Sequence, residues 1–154
     1  SHRALSEHKT LSISWSHYLP LDAPVAGYEI GVPGIKGPSP LFIIRAKVNG
    51  GIHPGKWVFG NTAWVPWGGR EHFCNEFEVY VGALKWVDVK DKHFPPNMVE
   101  AGHEANGTKL YVARAKFDNG LFVGKAGSHL SRGCCIGYNG REYELDTFQV
   151  LVHD

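Results

Sequence analysis

The sequence lacks the features that would place it in a nucleic-acid-binding or membrane-spanning class. Its 16 Lys and Arg residues nearly balance 15 Asp and Glu residues, for a formal charge of +1. The positive field that binds phosphate backbones is missing, so nucleic acid is disfavoured as a partner. No apolar run approaches the roughly 20 residues of a transmembrane helix, so we expect no transmembrane segment.

The first residues, beginning Ser1-His2-Arg3, do not resemble a signal peptide. We therefore expect a protein that is cytoplasmic or secreted by a non-classical route. A leader removed upstream of Ser1 would leave export open.

Cysteine is scarce, with three residues at Cys74, Cys134 and Cys135. The number is odd, and adjacent cysteines rarely bridge each other because a vicinal disulfide strains the peptide. We expect buried free thiols. Neither CxxC nor HxxxH occurs, so zinc-ligand spacing is missing and we predict no metal and no cofactor.

The sequence does contain the pattern of short strands and frequent turns that is typical of an antiparallel β protein. Nineteen glycines and nine prolines separate short runs of β-branched and aromatic residues, while helical periodicity is nearly absent. The clearest predicted strands are residues 41–48 (LFIIRAKV) and 110–117 (LYVARAKF), and an Asn-Gly dipeptide, suited to a tight hairpin turn, follows each. The sequence predicts an all-β fold.

The two strong strands belong to an internal duplication. Matching motifs recur in the same order, at 26–29 (AGYE) and 101–104 (AGHE), 55–56 and 124–125 (GK), and 69–71 and 140–142 (GRE). Two tandem repeats, about 15–82 and about 86–154, are predicted within a single domain of residues 1–154. Either repeat alone would bury too little apolar surface. We expect one pseudo-two-fold-symmetric antiparallel β domain.

Alternation along residues 41–48 predicts which face of this strand is buried. Arg45 and Lys47 share one face with Leu41 and Ile43, while residues 42, 44, 46 and 48 share the other. The second face is the predicted core face.

The duplication also repeats a carboxylate and an ammonium, Glu29 with Lys56 and Glu104 with Lys125. Such a pair can accept from and donate to neighbouring hydroxyls through charge-assisted hydrogen bonds, which suits a polyol ligand. The alternative is that these residues form exposed ion pairs of little energetic value or contacts that position loops, and spacing does not decide between binding and these structural roles. The longer Gly/Pro-rich loop at 31–40 follows Glu29 directly, so we expect the two sites to differ.

Aromatic residues add to the first of these candidate sites. Trp57, Trp64 and Trp67 follow Lys56 closely, and an aromatic ring can stack on the apolar face of a pyranose. Core packing is the commoner use of tryptophan, but Pro66 indicates an edge strand or bend where one ring could be exposed.

The motif series AGYE, LFIIRAKV, PGK, GGREH and then AGHE, LYVARAKF, VGK, NGREY resembles the DM-nine repeat family over nearly the whole chain. The resemblance implies two tandem repeats in one all-β unit. A bivalve member is a mannose-binding lectin, which implies a homodimer that recognises microbial surfaces. The implied ligand contacts are Glu29, where that lectin has Asp, and Lys56, with Glu104 and Lys125 as symmetry-related candidates.

The function expected from this resemblance is a lectin for mannose-containing glycans that acts in innate-immune recognition of microbial surfaces. The alternative is an intracellular protein- or membrane-interaction module that responds to infection or stress without binding sugar. We predict no enzyme and no catalytic residues, because nucleophile-elbow, phosphate-loop, dinucleotide and zinc-protease motifs are missing. A glycosidase would need two facing carboxylates, and only Glu29 with Glu104 suggests itself. Nine histidines do not recur between the repeats, and most are expected at the surface.

Overall fold

The computed structural model describes residues 12–15 and 22–154, and within these ranges the chain forms fourteen β-strands and no helix. The all-β prediction is confirmed. No helix in the described ranges could cross a bilayer. The strands in chain order are β1 (Ser12–Trp15), β2 (Gly27–Glu29), β3 (Ser39–Val48), β4 (Gly51–Trp57), β5 (Ala63–Trp67), β6 (Arg70–Cys74), β7 (Glu78–Val81), β8 (Trp86–Lys90), β9 (Glu100–His103), β10 (Lys109–Phe117), β11 (Gly120–Ala126), β12 (Cys134–Tyr138), β13 (Arg141–Leu145) and β14 (Thr147–Leu151).

The order of the strands in the sheet is symmetric about its centre. It runs β1-β7-β3-β2-β11-β12-β13-β6-β5-β4-β9-β10-β14-β8, and additional β3–β4 and β10–β11 pairs close the sheet on itself. Each of the strands β1–β7 has a counterpart among β8–β14, seven places later in the chain. Each strand and its counterpart lie at equal distances from the two ends of this order. The centre of symmetry lies between β6 and β13, where Arg70 pairs with Arg141 in antiparallel register.

Each half of the chain completes the sheet of the other half. β2 pairs with β3 and also with β11, and β9 correspondingly pairs with β10 and with β4. The backbones are very close at these crossings, because a Cβ on Gly27 would lie 2.1 Å from Leu121 O and one on Gly102 would lie 1.9 Å from Ile52 O. The glycine of the AGYE and AGHE motifs is therefore required where the two halves meet.

β3 is buried on both faces over its first half. Leu41 and Ile43 belong to the larger hydrophobic core, while Phe42 and Ile44 belong to the smaller one. Leu41 and Ile43 do share a face with Arg45 and Lys47, but the expectation that only the other face is core is wrong here, because β3 lies between two apolar clusters. Alternation applies only from Arg45 onwards, where that face becomes partly exposed.

Two predicted boundaries shift by one or two residues. The first hairpin turns at Asn49-Gly50, as expected, with φ of 48° and 82°. The second turns at Asp118-Asn119, with φ of 44° and 66°, one residue before the predicted dipeptide. Asp and Asn tolerate this left-handed conformation better than most residues. The loop predicted at 31–40 also ends early, since Ser39 and Pro40 already pair with β2.

The three cysteines are free and buried, as the sequence predicted. Burial raises the pKa of each thiol above its ordinary value, to about 11 for Cys74. A high pKa leaves little thiolate at neutral pH, so none of the three is an activated nucleophile.

Candidate functional site

The first predicted lysine is buried and surrounded by acceptors. Lys56 Nζ lies 2.7 Å from Glu29 Oε1, 2.8 Å from Gly137 O and 3.2 Å from Glu71 Oε2. The predicted Glu29–Lys56 pair is therefore a direct contact. Its surroundings also include the ring of Phe122, whose centroid lies 5.0 Å from Nζ, a distance at which a cation is attracted to an aromatic face.

Burial excludes the exposed ion-pair alternative for this lysine. The Lys56 side chain is 5% exposed and the Glu71 side chain 7%, so both charges lie largely out of water. The ammonium donates hydrogen bonds to Glu29 Oε1 and Gly137 O, and Glu71 Oε2 lies within ion-pair distance without accepting a hydrogen bond from Nζ. Lys56 therefore holds two carboxylates in place.

Glu71 was missed as a site residue, and so was its counterpart Glu142. Glu71 Oε1 accepts a 2.9 Å hydrogen bond from the Gly140 backbone amide, and Glu142 Oε1 accepts one of the same length from Gly69. The remaining oxygens face Lys56 at 3.2 Å and Lys125 at 3.8 Å. These glutamates tie each lysine to a turn of the opposite half. The duplicated GRE motif was the sequence signal that could have identified them.

A cavity of about 520 Å³ opens beside Lys56, a size typical of small-ligand sites. Glu29, Lys56 and Glu71 supply its charged wall, and half-buried Trp64 and Tyr138 supply aromatic surface. The rest of the lining comes from residues 30–33 at the start of the loop after Glu29, and from Val58, Asn61, Thr62, Asn139 and Gly140. We refer to this cavity and its lining as site one.

Trp64 is the member of the predicted tryptophan cluster that lines site one. Trp57 is buried in the smaller core, with its ring centroid 4.9 Å from that of Phe77. Trp67 packs on His72 instead, at 5.6 Å. Trp64 is available to a ligand because β5 carries it on the face opposite the core residues Ala63 and Val65.

The second predicted lysine has different neighbours. Lys125 Nζ lies 3.0 Å from His53 Nδ1, and Glu104 is not its direct partner. Glu104 instead contacts His129, at 2.8 Å, and approaches His53 Nε2 at 3.8 Å. The predicted Glu104–Lys125 pair is thus interrupted by a histidine. We refer to this cluster of Glu104, Lys125, His53, His129 and Glu142 as site two.

His53 and Phe122 occupy equivalent positions, each three residues before the buried lysine of its own half. Each contacts the lysine of the other half, since Phe122 lies over Lys56 and His53 accepts from Lys125. The expectation of surface histidines is wrong for His53, which is 1% exposed. Searching for recurring residues could not find it, because its counterpart is a phenylalanine.

Burial and charge shape the titration of site two. Burial, followed by the charge of Lys125, lowers the pKa of His53 from 6.5 to about 4. Burial also lowers the pKa of Lys125. Burial by itself raises the pKa of Glu104, but the hydrogen bond from His129 and the charge of Lys125 hold it below its ordinary value overall. His53 is therefore neutral at physiological pH, with Nδ1 free to accept.

Stability is expected to fall as the pH decreases through the window set by His53. Between pH 6.5 and about 4 the unfolded chain binds a proton at His53 that the folded chain does not bind. Unfolding is therefore favoured by up to about 3 kcal/mol at the acidic end. Urea unfolding at about pH 7 and about pH 4.5 measures the difference. His53→Phe, which copies Phe122, should remove most of it, and an unchanged pH dependence in that variant would contradict the assignment.

The family model for the DM9 repeat matches residues 36–145. This is the DM-nine repeat family that the sequence motifs resemble. The chain belongs to the DM9 repeat family. This DM9 repeat protein is also similar in structure to the nematode sperm cell motility protein MFP2B, with a TM-score of 0.62 and 15% sequence identity.

The similarity to MFP2B covers 94% of this chain and 46% of the motility protein, so the chain spans less than half of that protein's length. At such low identity the similarity shows the fold alone. No curated protein matches the DM9 repeat chain in sequence.

Proposed function

We propose that this DM9 repeat protein binds carbohydrate in site one without turnover, and that its ligands are mannose-type glycans of microbial surfaces. The observation that carries the proposal is the cavity of about 520 Å³ that Glu29, Lys56 and Glu71 line together with the aromatic side chains of Trp64 and Tyr138. Sugars present hydroxyls on their edges and apolar C–H groups on their faces. A charged wall beside an aromatic surface is complementary to both.

The buried lysine prepares the site for such a ligand. Because Lys56 is hydrogen-bonded to Glu29 and to Gly137 O, it holds the Glu29 carboxylate at the cavity wall before any ligand arrives. A pre-positioned acceptor loses less conformational entropy on binding than a mobile one. Neighbouring sugar hydroxyls would donate to Glu29 while the ring stacks on Trp64. A homodimer would present two such sites and raise avidity on a glycan-coated surface.

Glu29→Gln tests the proposal, because it keeps the shape of the side chain and removes its charge. A hydrogen bond to a charged group contributes about 1.5–3 kcal/mol, so we expect binding to weaken roughly 10-fold or more. A glycan array, followed by calorimetric titration with oligomannose, measures the effect. Lys47→Ala, an exposed change on β3 of the same half, serves as the matched control.

Two results would contradict carbohydrate binding at site one. One is the absence of any glycan signal from the wild-type chain. The other is a Glu29→Gln variant that binds as tightly as the Lys47→Ala control. Release of reducing sugar from oligomannose would show instead that the site performs hydrolysis.

A further inference from the structure

A second cavity lies beside site one. It encloses about 310 Å³ and is lined by Phe73, Asn75 and part of the β4–β5 turn, with Trp57, Cys74 and Phe77 behind them. Asn61 and Thr62 line both cavities. The two cavities are therefore adjacent, and they meet at these two residues.

The turn between the cavities is held in place. Trp57 Nε1 donates to Asn61 O at 3.1 Å, and the Asn61 backbone amide donates to Val58 O at 2.9 Å. The Thr62 amide donates to Asn61 Oδ1 at 3.2 Å. We refer to this hydrogen-bonded turn, residues 58–62, as the ridge between the two cavities.

Aromatic surface continues across the ridge. Trp64 lines the first cavity, Phe73 lines the second, and their ring centroids lie 5.9 Å apart. Phe73 is 52% exposed although it is large and apolar. Contiguous exposed apolar surface is a feature of ligand-binding grooves, and an aromatic face is suited to stacking against a pyranose.

The chemistry of the second cavity favours a neutral, hydroxyl-rich ligand. Its polar side chains are the amides of Asn61 and Asn75 and the hydroxyl of Thr62. Within residues 12–15 and 22–154, no Asp, Glu, Lys, Arg or His lines this cavity. Amides and hydroxyls both donate and accept, as sugar hydroxyls do, and a charged peptide would find no partner there.

We propose that the two cavities form one groove that binds a linear oligosaccharide. One sugar residue lies against Glu29 and Trp64 in site one, and the chain crosses the ridge at Asn61 and Thr62 so that a following residue stacks on Phe73. This inference rests on the proposed function, since it extends the same site. Each cavity is already within the roughly 300–1,000 Å³ typical of small-ligand pockets, so a single monosaccharide leaves the second one unfilled.

Calorimetric titration with mannose, mannobiose and mannotriose tests the groove. We expect the affinity of the wild-type chain to rise about 10-fold or more between the monosaccharide and the trisaccharide, the size that one added stacking contact supports. Phe73→Ala should remove most of this gain and leave mannose binding nearly unchanged. Val25→Ala is the control, because Val25 is an apolar residue that is 56% exposed, lies outside the turn at residues 58–62 and lines neither cavity.

The possible results distinguish a failure of the groove proposal from a failure of carbohydrate binding at site one. Equal affinity for mannose and mannotriose, or equal losses in Phe73→Ala and Val25→Ala, would overturn the groove while leaving carbohydrate binding at site one intact. A uniform loss of mannose and mannotriose affinity in Phe73→Ala would also overturn it. No binding of any of the three sugars would overturn both proposals.

Discussion

Lys56→Ala is expected to lower the free energy of unfolding by about 3–5 kcal/mol, as found when one partner of a buried ion pair is removed. The substitution leaves Glu29 and Glu71 facing each other without the ammonium between them, at side-chain exposures of 15% and 7%. Like charges out of water repel, and Gly137 O loses its donor as well. Equilibrium urea unfolding followed by tryptophan fluorescence measures the change.

Two further variants test whether the buried charges cause the loss of stability in Lys56→Ala. Lys47→Ala removes an exposed lysine from the neighbouring strand and should change stability by less than about 0.5 kcal/mol. Lys56→Met combined with Glu29→Gln and Glu71→Gln removes all three charges and should recover part of the loss, because neutral groups cost less to bury. If Lys56→Ala were as mild as the control, the buried charge cluster would not contribute to stability.

Gly102→Ala is expected to destabilise the fold by about 3 kcal/mol or more, at or beyond the upper end of overpacking effects. A Cβ there would lie 1.9 Å from Ile52 O and 2.7 Å from the carbonyl carbon. Because both atoms are backbone, relief requires β9 to move away from β4, where one half of the chain joins the other. Gly27→Ala should behave alike, since its Cβ would lie 2.1 Å from Leu121 O.

Gly107→Ala separates steric clash from backbone strain. Gly107 has φ of +92°, and a Cβ there would have no atom within 4 Å. Only conformational strain should appear, at roughly 1–2 kcal/mol. The denaturant midpoints of the three variants, compared at equal m-value, show which substitution lowers stability most. A Gly102→Ala variant no less stable than Gly107→Ala would show that the two halves are not held together at this crossing.

The candidate site was predictable where its residues recur, and not where the two halves differ. Glu29 and Lys56 were identified as a pair from the duplication and do make contact. Glu104 and Lys125 were identified by the same reasoning but are separated by His53. Residues that recur in both halves can be recognised by comparing the halves, but a residue whose counterpart has a different chemistry cannot. His53 was missed for this reason, because its counterpart is Phe122. Whether any of these residues binds a ligand stays a prediction.

The sequence by itself determined the local features, because they depend on neighbouring residues. Alternating β-branched runs and Asn-Gly turns specify hairpins such as β3–β4, and the repeated motifs indicate that the chain contains two similar halves. Tertiary structure alone decided how the halves combine. Lys56 contacts Glu29, 27 residues away, and Gly137 O, 81 residues away. Such contacts depend on which strand of one half adds to the sheet of the other, and on the two cores that bury both faces of β3. Local sequence specifies neither the strand addition nor the two cores, because they form only when apolar surfaces distant in the chain are buried together.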